Sequence, residues 1–92
     1  MIVRNLRRFK KNSLLAFFDL QLASGLMLRG CMLHLSHDKY WAGLPARPYK
    51  DASGKDSWTN IVDFRGKATR NRFQRLATEM ALAAYRESEV AA

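Results

Sequence analysis

Two apolar runs separated by one short turn decide most of what this chain can become. In residues 14–22, Leu14, Ala16, Phe18, Leu20 and Leu22 recur at period two, with Leu15, Phe17, Asp19 and Gln21 between them. Residues two apart on a strand share a face, so one face is apolar throughout and the other turns polar at Asp19. Ala23-Ser24-Gly25 then supplies a turn signal, and residues 26–35 are apolar at nearly every position. A short helix through Leu15, Phe18 and Leu22 competes on spacing, but the turn residues favour a hairpin of two strands. Gly30, inside the second run, predicts a bulge or a close backbone approach.

The rest of the chain extends this pattern. Residues 40–44 form a short third apolar segment closed by Pro45. Residues 46–57 are polar, with Pro48 and an Asp51-Ala52-Ser53-Gly54 turn, and are expected to form an exposed loop or a long hairpin tip. Residues 58–64 alternate Trp58, Asn60, Val62 and Phe64 against Thr59, Ile61 and Asp63, which predicts another strand. Phe73, Leu76, Ala77, Met80, Ala81 and Ala84 then follow helical spacing. The helix is expected over about residues 68–87, with Thr69 as its N-cap, an Arg75–Glu79 pair and a short tail over 88–92. Strands followed by one helix make an α+β domain spanning residues 1–92: an antiparallel sheet of four to five strands over about residues 2–64, then one C-terminal amphipathic helix. One helix covers one face of such a sheet, and the second run is apolar on both faces. A homodimer is therefore expected.

Charge narrows the function. Sixteen Lys and Arg against eight Asp and Glu leave +8. The excess sits in two acid-free blocks: Arg4, Arg7, Arg8, Lys10 and Lys11 at the start, and Arg65, Lys67, Arg70, Arg72 and Arg75 beside the helix start. With 48% hydrophobic residues the chain is no disordered basic tail. A single cysteine, Cys31, excludes an intrachain disulfide and a CxxC zinc site. The uncharged stretch over residues 20–28 is far too short to span a bilayer. The basic and then apolar start imitates a secretory signal, yet Asp19 interrupts it and no A-x-A-like cleavage site follows. A cytoplasmic domain with no membrane partner is expected.

The motifs also resemble a family. Leu14-Leu15-Ala16-Phe17, Gly25-Leu26-Met27-Leu28-Arg29-Gly30, Tyr40-Trp41-Ala42-Gly43-Leu44-Pro45-Ala46-Arg47 and the single terminal helix are similar to the SpoVG-type septation regulators. Val3, Leu6, Arg8 and Phe9 resemble that family's Arg-bearing first strand, and Ala84-Tyr85 its helix end, so the likeness covers about residues 2–86. The family's Asp-Ile-x-His-Pro stretch corresponds in outline to Asn60-Ile61-Val62-Asp63-Phe64, without the His-Pro, and its Pro-Ser-basic segment to Pro45-Ala46-Arg47. The resemblance implies a small dimeric sheet protein with a packed helix, acting on DNA or RNA without catalysis.

The candidate site follows from the charge. Cations are unfavourable in a helix's first turn, where the dipole already places positive charge, unless a phosphate is held there. Arg65, Lys67, Arg70, Arg72 and Arg75 are therefore the main nucleic-acid-binding candidates. Arg4 and Arg8 are further phosphate-binding candidates, expected to share one face of the first strand, with Arg7 on the other and Lys10 and Lys11 in the following turn. Arg47, Lys50 and Tyr49 are candidates in the polar loop, Tyr49 as a base-stacking ring, while Trp41 and Trp58 are expected in the core. His34, His37 and Asp38 imitate a metal or catalytic cluster, but His34 and His37 would point to opposite strand faces and no further His or second Cys completes a site. Neither a cofactor nor a small-molecule substrate is expected, and Cys31 is read as a core residue. The function expected is a non-enzymatic nucleic-acid-binding protein regulating transcription or another cell process. Alternatives are a single-stranded DNA-binding transcription cofactor of the positive-cofactor-4 type, a protein–protein adaptor and, least favoured, a small hydrolase.

Overall fold

The computed structural model describes residues 1–91. The elements are β1 (Ile2–Lys11), β2 (Leu14–Gln21), β3 (Met27–Ser36), β4 (Lys39–Gly43), β5 (Ala46–Lys50), β6 (Asp56–Asn60) and α1 (Lys67–Ala91). The first four strands form an antiparallel meander in the order β1-β2-β3-β4, while β5 and β6 pair only with each other. The class is α+β, an antiparallel sheet followed by one C-terminal helix. Of the exposed loop and the long hairpin tip expected over residues 46–57, the hairpin is found: β5 and β6 pair around the Asp51–Gly54 turn, with Pro48 opposite Trp58 in a two-stranded ribbon where its missing N–H costs little. The strand expected over residues 58–64 stops at Asn60. There the Ile61 N–H donates to the Pro45 carbonyl at 3.1 Å and closes the ribbon, and the Asp63 carboxylate takes the Phe64 N–H at 2.8 Å in a turn.

Turn chemistry sets the register. His37 and Asp38 both have positive φ, 52° and 62°, in the two-residue loop joining Ser36 to Lys39. That is the backbone twist a tight hairpin requires. The His-x-x-His-Asp sequence is therefore a turn on its last two residues. In β3, Arg29 and Gly30 together face the single residue Asp19, a bulge in which Gly30 takes φ 83°. β1 carries a second irregularity at Asn5, φ 56°. This insertion brings Arg4 and Arg7 to the same sheet face, opposite Asp19 and Phe17, and leaves Arg8 opposite Ala16 on the other. Arg4 and Arg8 thus do not share a face, because the strict period of two fails at the bulge.

The core lies between the sheet and α1. Phe18, Leu20, Cys31 and Leu33 are fully buried and meet Ala42 of β4 and Ala77 and Ala81 of the helix. Removing a large apolar side chain from water contributes roughly 1.5–3 kcal/mol, and the two alanines let the helix backbone approach the sheet closely. Burial pushes the Cys31 thiol up to about 12, consistent with an inert core residue. Leu76 lies outside the buried stripe and is 48% exposed. Gly66, not Thr69, takes the N-cap: its carbonyl receives the first intrahelical bond, from the Arg70 N–H at 3.0 Å. Among the described residues no helix is long and apolar enough to cross a membrane.

Candidate nucleic-acid interface

The helix divides the basic block by direction. At 100° per residue, Arg70 lies on the same side as Phe73, Ala77 and Gln74, but one turn ahead of the sheet contact, so it overhangs open space. Lys67 and Asn71 flank that side. Arg72 points to the outer face, about 160° away, and Arg75 turns toward the β4 edge, where it lines a groove with Tyr40, Gln74 and Thr78. All five basic residues of the block are exposed. Among the described residues the ion pairs are Arg29–Asp19 and Lys50–Asp56, so none of the five is paired with an acid, including Arg75 with Glu79. The first helical turn carries no acid to offset its dipole.

The space under Arg70 is a cavity of about 550 Å³ between the sheet face turned away from the helix, the β5–β6 hairpin and the helix start. One wall is the imidazole of His34 stacked on the Trp41 indole, 4.1 Å between centroids and 13° between planes. The two residues are opposite one another on β3 and β4, which brings their rings together. Burial holds the His34 ring below its usual range, so the wall is neutral at pH 7, and Ser13 Oγ lies 3.0 Å from its Nδ1. Trp58, 63% exposed, lines the same cavity from the hairpin. Polar groups converge from three elements: Asn60 of the hairpin, Asp63 of the turn, and Arg70, Asn71 and Gln74 of the helix.

Neither tryptophan is a core residue, since Trp41 is 40% exposed as well. Both belong to apolar-looking strands, but β4 is an edge strand and β6 lies outside the main sheet, so neither ring has a covering layer. Tyr49 and Arg47 alternate with the cavity-facing residues Ala46 and Trp58 and therefore lie on the other side of the hairpin. Lys50 Nζ donates to Asp56 Oδ1 at 3.1 Å across the ribbon.

The N-terminal block does not join this site. Arg8 reaches the far end of the helix, where its guanidinium lies 3.9 Å from the Tyr85 ring centroid and donates at 3.0 Å to the Tyr85 carbonyl and to Ser88 Oγ. Fifteen residues separate Arg70 from Tyr85, about 22 Å along the axis. Arg4 Nε donates to Gln21 Oε1 at the opposite end of β1. Asp19, which in the sequence marks only where its strand face turns polar, is 4% exposed on the open face. It accepts from Asn5 Nδ2 at 2.9 Å and from the Gly30 N–H at 3.2 Å, and Arg29 lies at 3.5 Å. The Asn5 hydrogen bond leads these contacts in holding its carboxyl below the usual range. Among the described residues no three His, Cys, Asp or Glu side chains are grouped to hold a metal ion. Comparison with protein-family models, curated proteins and solved structures found no match.

Proposed function

We propose that this chain is a non-enzymatic nucleic-acid-binding protein, a regulator of transcription or another cell process, that contacts phosphates through the start of α1. The observation that carries this reading is the basic block: Arg65, Lys67, Arg70, Arg72 and Arg75 are exposed and, among the described residues, without acidic partners, around the positive end of a long helix. This arrangement costs folding free energy through like-charge and dipole repulsion, and an anionic polymer relieves both.

A second copy of the chain belongs to the proposal. On the β1 side the sheet face away from the helix is exposed at its rings: Phe9, 5.8 Å from Phe17 between ring centroids, is half exposed there, on the strands farthest from the cavity. A homodimer across β1 and β2 covers those rings and leaves the β4–hairpin side free.

The test is a binding titration of single-stranded DNA, duplex DNA and RNA of equal length at two salt concentrations. Affinity should fall steeply with salt, as counterion release requires. A chain that binds none of the three, but retains a protein partner after nuclease treatment, is an adaptor instead.

A further inference from the structure

We infer that the cavity under Arg70 receives one unpaired nucleobase, making the site selective for single strands; this rests on the nucleic-acid reading above. The occupant follows from the walls. The stacked His34–Trp41 pair and the exposed Trp58 of the same lining present flat aromatic surface to a planar ring. The volume of about 550 Å³ falls in the range of roughly 300–1,000 Å³ typical of small-ligand sites.

Polar groups sort the parts of a nucleotide. Asp63 contributes a carboxylate to the lining, which repels a phosphate but accepts from the N–H groups of a base. Asn60 and Asn71 each offer both a donor and an acceptor. Gln74 also lines the cavity, but its Nε2 is committed to the Ala42 carbonyl at 2.9 Å. Arg70 is the one cation of the lining, and Lys67 stands a turn before it. The base therefore stacks against these rings while its phosphate stays outside against Arg70 and Lys67. In a duplex each base is already stacked and paired, and entry requires flipping it out at a cost of a few kcal/mol. A single strand escapes most of that cost.

The chain has two tryptophans, and both line this cavity, so intrinsic fluorescence reports its occupation directly. Wild-type protein is titrated with a twelve-nucleotide oligo-dT and with a duplex of the same length, by tryptophan emission and by anisotropy of labelled DNA. Trp58→Ala follows, with circular dichroism to confirm its fold. The expected result is quenching by oligo-dT and tighter binding of oligo-dT than of duplex. The single-strand to duplex affinity ratio should fall roughly five- to hundred-fold in Trp58→Ala, the equivalent of one lost stacked base. Unquenched tryptophans, or an unchanged ratio in Trp58→Ala, overturn the cavity assignment. If Arg70→Gln with Arg72→Gln still weakens binding in that case, the phosphate reading stands alone. A wild-type protein that binds neither DNA, nor RNA of the same length, overturns both.

Discussion

The backbone N–H of Ala42 donates to Thr78 Oγ1 at 2.9 Å, and that hydroxyl donates in turn to the Gln74 carbonyl at 2.7 Å. Gln74 Nε2 reaches the Ala42 carbonyl. Two helix side chains thus satisfy the outward backbone groups of one residue on an edge strand. An edge strand left open is a template for another chain, and here the helix closes it. Replacing Thr78 by Val keeps the shape and removes the acceptor, leaving a buried N–H unpaired. The expected loss is about 1–3 kcal/mol, read as a lower urea midpoint with an unchanged slope.

Neutralising Arg70 and Arg72 together to Gln should weaken nucleic-acid binding while the fold is kept. Each lost phosphate contact should lower the slope of log affinity against log salt by roughly 0.7–0.9. Thermal stability should stay level or rise slightly, because two like charges leave the positive end of the dipole. Unchanged affinity and slope would remove the basic block from the interface.

Arg8→Ala should behave in the opposite way. It takes away a cation–π contact and two hydrogen bonds from the far end of α1. A loss of roughly 1 kcal/mol or more in stability is expected, with faster amide exchange around Tyr85 and Ser88. Nucleic-acid affinity should change far less than in the Arg70 and Arg72 double variant.

Asp19 supplies an acid-labile contribution. Its folded pKa is depressed, so its stabilisation is fully present above the unfolded value of about 3.9 and is lost as pH falls through the folded one. Asp19→Asn should destabilise the protein at pH 7 and flatten the decline in melting temperature below about pH 4. An equally steep acid transition in the variant would assign that transition to other carboxylates.

Sedimentation equilibrium at micromolar concentration should return twice the 10.6 kDa chain mass. Phe9→Asp places a charge among the uncovered rings and should shift the protein toward monomer. A wild-type monomer over the whole concentration range would end the dimer proposal.

The four-stranded sheet and the helix were legible because their signals are periodic: alternation in β2, three-and-four spacing through Phe73, Ala77 and Ala81. What escaped is where periodicity breaks. A left-handed Asn5 turns one strand face over, so the paired direction of Arg4 and Arg8 could not be counted from spacing. Trp41 and Trp58 have core composition, but their burial depends on whether a layer lies above the strand, which no local pattern states. The sequence located the basic block correctly around the helix start. It could not show that only Arg70 of that block lines the aromatic cavity, because that depends on how the hairpin folds back.

The β5–β6 hairpin shares no strand pairing with the main sheet, and Ile61 and Pro45 close its base. One wall of the cavity can accordingly vary in sequence without touching Phe18, Leu20 or Leu33. On the proposed reading, folding and recognition are separable traits in this chain. A library randomised at Ala46, Trp58 and Asn60 should retain stability while changing what the cavity accepts, making the ribbon a natural place to graft new specificity.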